Sequence, residues 1–282
     1  MNNYGGLPED YTKYDSSDII ILPIPYDGSS TWIKGADKGP AALLEASANM
    51  ELYDIETDSE VYKKGIHTLD FLTTSGGPNT LVPLVKNKVK ELLNDKKFIV
   101  AIGGEHSVSI GAIQAFAETF SDLSILQLDA HSDLRSEYEG SLNNHACVMA
   151  RAREVAEIVQ VGIRSMDVSE KENMDMNRVF FGHTLRRDIM WQEKAVALLK
   201  KNVYITIDLD VFDPSILPST GTPEPDGMLY AQVLDFLKKV NNERNIVGFD
   251  VVELCPNPEN KSSDFLASKL IYQLLSQIFY NK

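Results

Sequence analysis

Three short clusters of carboxylate and imidazole side chains are the residues best suited to chemistry in this sequence. They lie in Gly103–His106, Asp129–Asp133 and Asp208–Asp210. Each cluster directly follows an apolar run of the kind that forms a buried β-strand. Because parallel strands end on a common edge of their sheet, the clusters can meet in space although they are far apart in the chain.

Six side chains of these clusters, four aspartates and two histidines, are suited to binding metal, and this set predicts a metal site. Four carboxylates on one sheet edge would repel one another strongly unless cations neutralised them. Carboxylates with some imidazole suit Mn²⁺, Fe²⁺, Co²⁺ or Zn²⁺, and the lack of cysteine in the clusters argues against a structural zinc site. Two divalent ions about 3.5 Å apart are the usual arrangement for activating a shared water. The predicted ligands are His106, Asp129, His131, Asp133, Asp208 and Asp210.

The spacing within the clusters supports this interpretation. Alternate side chains of an extended chain point the same way, so Asp129, His131 and Asp133 share one face, and Asp208 and Asp210 share another. A single Asp-x-Asp segment is more often a solvated turn. Three such clusters, each behind a buried-type strand, argue against that alternative here.

Composition sets the frame for this site. The chain has 282 residues, 43% of them hydrophobic, and shows no clear domain break, so we predict a single domain over residues 1–282. The formal charge of −14 argues against nucleic acid as a partner and is compatible with a small cationic substrate. Cys147 and Cys255 make no disulfide framework, no apolar run reaches the ~20 residues of a membrane helix, and residues 1–14 lack an apolar signal core. We therefore expect a cytoplasmic protein with no membrane partner.

Strand-like and helical patterns alternate along the chain, which predicts an α/β fold. The strand-like runs are mostly continuous and apolar, as in a parallel sheet covered on both faces, and the order favours a doubly wound sheet. The predicted strands are Asp18–Leu22, Gly65–Asp70, Lys97–Ile102, Ser124–Asp129, Ile158–Val161, Arg178–Phe181, Val203–Asp208 and Ile246–Val251, and the predicted helices are Ala41–Ala46, Leu81–Leu93, Ser107–Phe120, Ile189–Lys201, Tyr230–Val240 and Asp264–Phe279.

Five motifs in the chain resemble the ureohydrolase family of arginases and agmatinases, and the likeness is greatest to the agmatinases. The resemblance implies a three-layer αβα fold with an eight-stranded, mainly parallel sheet. It also implies a binuclear manganese centre that hydrolyses a guanidino group to urea and an amine. The motifs are Gly103–Ser107, Asp129–Arg135, Asp208–Pro214, Thr220–Pro225 and Gly248–Glu253.

The resemblance further implies how the six ligands divide between two Mn²⁺ ions per chain. Asp129 and Asp208 match carboxylates that bridge both ions. One ion would be held by His106, Asp129, Asp133 and Asp208, and the other by Asp129, His131, Asp208 and Asp210.

Three residues outside the ligand set match residues that act on the substrate. His145 matches a proton-shuttling histidine near the mouth of the site, and Thr222 and Glu253 match positions that line the substrate. The chemistry agrees, because a planar guanidinium can form paired charge-assisted hydrogen bonds with a carboxylate such as Glu253. The departing amine needs a proton, which His145 or Asp133 could supply. The expected catalytic residues are Asp133, His145 and Glu253.

The loop after Asp133 bears on the choice of substrate. Leu134 and Arg135 follow it, where arginases carry an Asn that holds an α-amino acid head, and Glu137 and Glu139 offer carboxylates for an amine. Agmatine, cleaved to putrescine and urea as in polyamine biosynthesis, is therefore the expected substrate. Arg135 could instead bind the carboxylate of a guanidino acid, or pair with Glu137 or Glu139.

Several alternatives stay open from the sequence. The substrate could be aminopropylagmatine, guanidinobutyrate or arginine, and the chain could also be a metal-binding member of the fold without activity. The native metal is open among Mn, Fe, Co, Ni and Zn. The resemblance implies a homo-oligomer, a trimer or a hexamer.

Overall fold

All eight predicted strands form, and they make one parallel sheet. The structure is a computed structural model that describes residues 3–280. The strands are β1 (Ile19–Ile24), β2 (Ile66–Thr68), β3 (Phe98–Gly103), β4 (Leu123–Leu128), β5 (Glu157–Ile163), β6 (Val179–Phe181), β7 (Asn202–Asp208) and β8 (Asn245–Val252). Their order across the sheet is β2-β1-β3-β8-β7-β4-β5-β6, and every neighbouring pair is parallel. The predicted fold class is confirmed.

Helices follow most of the strands. The six predicted helices are present, and two short ones, α4 and α5, were not predicted. The helices are α1 (Gly39–Ser47), α2 (Pro78–Asn94), α3 (Val108–Thr119), α4 (Val148–Ala152), α5 (Gly182–Leu185), α6 (Trp191–Ala197), α7 (Tyr230–Glu243) and α8 (Ser262–Tyr280). Within residues 3–280, no helix is long and apolar enough to cross a membrane.

One predicted helix, Ile189–Lys201, is shorter in the structure, where α6 ends at Ala197. The Arg244 guanidinium donates to the carbonyl oxygens of Val196 and Leu199, at 2.8 and 2.9 Å. These bonds satisfy carbonyl groups at the helix end, which leaves the next residues free to turn into β7.

The strands are apolar on both sides because helices cover both faces of the sheet. In β1, Ile19 and Ile21 belong to one core and Ile20 and Leu22 to the other, as the two-residue period of a strand requires. The first face is covered by α1, α6, α7 and α8, and the second by α2, α3 and α4. These are the three layers that the sequence resemblance implies.

The four central strands carry the predicted site residues at their carboxyl ends. β3, β8, β7 and β4 are consecutive in the sheet. His106 follows β3, Glu253 follows β8, Asp208 ends β7 and Asp129 follows β4. The topology therefore gathers segments that are up to about half the chain apart onto one edge, as open α/β sheets do at their binding crevices.

The predicted single domain covers residues 1–282, of which residues 1, 2, 281 and 282 lie outside the described part of the chain. Across the described part, one sheet contains all eight strands, and both cores extend along it. The single domain stays a prediction, and one uninterrupted sheet agrees with it.

The close packing of α3 on α2 depends on Gly111, and this gives a stability prediction. A Cβ atom at Gly111 would clash with the Val82 carbonyl oxygen and lie 2.9 Å from the Lys86 backbone nitrogen. Alanine is the better helix former by about 1 kcal/mol, but overpacking costs about 1–3 kcal/mol. Because the Cβ would meet backbone atoms, we expect the overpacking cost to exceed this gain, so that Gly111→Ala lowers the free energy of unfolding by up to about 2 kcal/mol in urea titrations.

Gly77→Ala provides the matched control for this prediction. Gly77 is the N-cap residue directly before α2, and nothing lies within 4 Å of the position that its Cβ would occupy. Its replacement should therefore cost much less than replacement of Gly111. Equal losses in the two variants would contradict the argument from close approach.

Candidate metal centre and substrate pocket

Two groups of carboxylate and imidazole ligand atoms lie at the carboxyl edge of the sheet. The first comprises His106, Asp129 and Asp208, and the second comprises Asp129, His131 and Asp210. Within each group the ligand atoms all lie within 4.8 Å of one another. Asp129 belongs to both groups, as a carboxylate that bridges two ions must.

The first group also contains Asp133. The Nδ1 atom of His106 lies 2.9 Å from an Asp133 oxygen, 3.3 Å from Oδ2 of Asp129 and 3.4 Å from Oδ2 of Asp208. These four residues are the ones that the sequence assigns to one metal ion. All four are buried.

The second group centres on Nδ1 of His131, which lies 2.8 Å from Oδ2 of Asp210 and 3.7 Å from Oδ1 of Asp129. The two oxygens of Asp129 thus face different histidines. Asp208 lies in the first group alone, and its predicted bridging role stays a prediction. The structure therefore brings all six predicted ligands together in two overlapping sets.

Burial and mutual repulsion shift the pKa values of these carboxylates. Burial, followed by the charges of Asp210 and Asp133, raises the pKa of Asp129 to about 7. Burial and the charges of Asp210 and Asp129 also hold the pKa of Asp208 well above its usual value. For Asp210 burial acts in the same direction, but the charge and hydrogen bond of His131 help to outweigh it and lower the pKa to about 2. Such a set of opposing shifts marks a buried excess of negative charge, which a divalent cation would relieve.

The donor set fits a metal ion at His106. Nε2 of His106 lies 2.8 Å from the Thr206 hydroxyl oxygen, which in turn donates to Asp250 at 2.6 Å. Since the Thr206 proton goes to Asp250, its oxygen accepts from Nε2 of His106. Nδ1 is buried, makes no hydrogen bond and faces the carboxylates, as a ligand nitrogen should.

Buried polar residues that the sequence did not single out hold the carboxylates of Asp250 and Asp129 in place. Tyr204 donates to the second oxygen of Asp250 at 2.6 Å, so the carboxylate is held from two sides. Gln127 donates to Oδ2 of Asp129 at 2.7 Å, and Gln160 donates to Gln127 at 2.6 Å. All of these side chains are buried. The sequence signal that could have identified these residues is a polar side chain within an otherwise apolar strand.

Two site residues have backbone conformations that side chains other than glycine seldom adopt. Asp133 has φ of 51° and Glu253 has φ of 66°. The Asp133 carbonyl oxygen accepts from the backbone of Met149 and Ala150, and the Glu253 carboxylate accepts from the His106 backbone at 2.7 Å. Such strain persists only where the surroundings hold it, and it occurs mainly at functional sites.

A cavity of about 280 Å³ opens onto this edge of the sheet. Every predicted catalytic and substrate-binding residue contributes to its wall: Asp133, His145, Thr222 and Glu253. Five of the six predicted ligands line it as well, and the sixth, Asp129, is fully buried behind them.

The carboxylates that the sequence offered for a substrate amine lie elsewhere. Glu137 and Glu139 are exposed and do not line the cavity; Glu139 lies in the narrow turn that Tyr138 and Ser141 close. The cavity instead contains Asp167 and Glu170, which the sequence analysis missed. They lie on a short 3-10 helix after β5, a segment with no motif to mark it.

Arg135 also has different partners from those considered. Its guanidinium lies 3.9 Å from Asp167 and 3.7 Å from Glu170, and 4.3 Å above the centre of the Tyr138 ring. The suggested pairing with Glu137 or Glu139 is therefore wrong. Two carboxylates beside the Nε/Nη2 edge and an aromatic ring over one face already balance this charge, which disfavours Arg135 as the partner of a substrate carboxylate.

Comparison with known proteins gives the same family that the sequence motifs indicate. The model of the arginase family matches residues 17–276. The chain is 36% identical over 271 residues to an N(1)-aminopropylagmatine ureohydrolase of Thermus thermophilus, covering 94% of this chain and 91% of the relative. It is 29% identical to an agmatinase of Pyrococcus horikoshii, covering 92% of this chain and 91% of the relative. The agmatine ureohydrolase structure of Thermoplasma volcanium aligns with a TM-score of 0.89 at 29% identity, covering 99% of this chain and 94% of that one.

The fold, the paired Asp/His groups and these relatives together define an amidinohydrolase, an enzyme that hydrolyses a guanidino group. More particularly, the chain belongs to the arginase family. The resemblance inferred from the motifs is confirmed. The alternative of a metal-binding protein without activity is not supported, since the similar proteins are enzymes and all six predicted ligands lie together.

The contact between Thr206 and His106 gives a prediction for metal affinity. Thr206→Val keeps the shape of the side chain but removes the oxygen that accepts from Nε2 of His106. We expect the affinity for Mn²⁺ to fall roughly 10- to 100-fold in calorimetric titrations, the usual effect of losing such an orienting partner. Thr206→Ser should bind almost normally, and unchanged affinity in the valine variant would show the contact to be incidental.

Proposed function

We propose that the chain binds two Mn²⁺ ions through the six clustered ligands and hydrolyses a guanidinoalkylamine to urea and an amine. The observation that carries the proposal is the pair of ligand groups that share Asp129 at the base of the cavity. Oxygen-rich ligand sets with some imidazole suit manganese. When bound, the two ions would supply an activated water and stabilise the developing negative charge.

The residues around this centre have separable tasks in the proposal. Glu253, whose carboxylate lines the cavity, binds the guanidinium and holds its carbon toward the ligand groups. Asp133 orients the attacking water from the opposite side. Water adds oxygen to the guanidinium carbon, the bond from this carbon to the alkylated nitrogen breaks, and the products are neutral urea and an alkylammonium ion. His145 delivers the proton that the departing nitrogen needs.

The charge of the outer cavity supports a cationic substrate without an α-carboxylate. Asp167 and Glu170 outnumber Arg135, which is engaged with both. A surplus carboxylate attracts an ammonium group and repels a carboxylate. Agmatine meets this requirement and arginine does not, which agrees with the expectation from the sequence.

N1-aminopropylagmatine is a second candidate, and a specific observation favours it. Four of the similar enzymes, at 32–36% identity, are N(1)-aminopropylagmatine ureohydrolases, whereas the agmatinases among them are 29–30% identical. The longer molecule carries a second amine. Asp167 and the exposed ring of Trp32 lie in the outer wall of the cavity, where that amine would reach.

Two wider expectations belong to the same proposal. The family resemblance supports a homo-oligomer, trimeric or hexameric, and the composition of the chain supports a place in the cytoplasm. The two cysteines are free, as a reducing compartment would keep them.

Metal content tests the first part of the proposal. Protein reconstituted with manganese should contain two ions per chain by elemental analysis. Asp129→Ala should lose both ions, because its two oxygens serve both groups, and His106→Ala should weaken one. Glu137→Gln, which changes an exposed carboxylate outside the cavity, should keep two. One ion or none in the unaltered protein would rule out the binuclear centre.

Urea release from a panel of substrates tests the second part. We expect kcat/KM for agmatine and N1-aminopropylagmatine to exceed that for arginine by about 100-fold, since an unpaired buried carboxylate costs a few kcal/mol. Asp167→Asn should reduce kcat/KM for the amines, most of all for the longer one, while Glu137→Gln should not. Equal values for arginine and agmatine would contradict the proposal, and a preference for guanidinobutyrate would identify Arg135 as the selecting residue.

A further inference from the structure

We infer that Ser29 and Glu105 are positioning residues that hold His145 in the tautomer and orientation needed for proton delivery. The inference rests on the proposed function, in which His145 carries the proton. Neither Ser29 nor Glu105 lines the cavity, and both are buried. They come from the loops after β1 and β3, whereas His145 follows the long loop after β4, so three separate segments meet here.

Glu105 is the anchor of this arrangement. Its carboxylate is fully buried and accepts three hydrogen bonds, from the Ser29 backbone at 2.5 Å, the Ser29 hydroxyl at 2.7 Å and the Ser107 hydroxyl at 2.5 Å. A buried carboxylate with so many donors ties the loop that contains Ser29 to the base of the site. It also fixes where the single proton of the Ser29 hydroxyl points.

The hydrogen bonds of Ser29 can be fully assigned. A hydroxyl has one proton to donate and two lone pairs that accept. The proton goes to the Glu105 carboxylate, which is closer than His145 and cannot donate. The lone pairs then face the His145 backbone nitrogen and the His145 Nδ1, both at 3.2 Å. Nδ1 must therefore be the protonated nitrogen of the neutral ring.

This assignment leaves Nε2 of His145 as the nitrogen that gains and loses a proton. The imidazolium gives its Nε2 proton to the departing amine nitrogen as the carbon–nitrogen bond breaks, and Nε2 regains a proton from solvent. The Tyr138 ring lies edge-on to the imidazole, with centroids 6.0 Å apart and planes at 90°, and limits rotation from the other side. Ser29 thus sets which nitrogen faces the chemistry.

Nuclear magnetic resonance of protein labelled with ¹⁵N-histidine tests the tautomer directly. The sample is loaded with Zn²⁺, a diamagnetic ion that accepts the same ligands, and His145 is identified among the five histidines by its loss in His145→Ala. The unaltered protein should give the Nδ1–H pattern for His145. Ser29→Ala should shift it toward a mixture, whereas Ser107→Ala removes another donor to Glu105 without touching His145 and should leave it unchanged. An Nε2–H pattern in the unaltered protein would overturn the inference.

Kinetics test whether the contact matters to turnover. Ser29→Ala should lower kcat about 10-fold with little change in KM, part of what a positioned acid or base contributes, and Ser29→Thr should restore most of it. In a His145→Ala background, which should keep its metal, Ser29→Ala should have no further effect. An equal loss in both backgrounds would mean that Ser29 acts only on the fold. Absence of urea release from the unaltered protein would instead count against the proposed function itself.

Discussion

Repulsion between carboxylates buried at one edge of the sheet is the interaction on which the rest of this structure depends. Asp129, Asp208 and Asp210 are held within a few ångströms of one another and away from solvent. Burial, together with this repulsion, raises the pKa of Asp129 and of Asp208. Such a cluster is stable only where cations neutralise its charge and the surrounding structure keeps the carboxylates from moving apart.

The parallel sheet supplies the resistance. Four adjacent strands end at the same edge, and their backbone hydrogen bonds set the spacing of the ligands before any metal binds. Buried polar side chains on those strands then fix the rotation of individual groups, as Thr206 does for His106 and Gln127 for Asp129. The positive φ angles of Asp133 and Glu253 occur within this framework. The strain at these positions lowers stability, and in return the reacting groups are placed precisely.

Charge also distinguishes the outer wall of the cavity, where the substrate would bind. The base of the cavity contains the clustered carboxylates and imidazoles, whereas its outer wall combines Asp167, Glu170 and Arg135 into a group with surplus negative charge. In the proposed function, chemistry and selectivity belong to different parts of the chain. The proposed metal ligands lie at strand ends, and the proposed selecting residues lie in the loops beyond them.

The sequence alone predicted the fold class, all eight strands and the six side chains that cluster at the sheet edge, because strand periodicity and residue spacing are local patterns. It could not determine which distant side chains would meet. Ser29 and His145 are 116 positions apart, and Thr206 and His106 are 100 apart. Neither contact can be recognised from the local sequence pattern. Glu137 and Glu139 are close to Asp133 in the sequence, but this closeness does not bring their side chains into the cavity. The path of the loops brings Asp167 and Glu170 there instead.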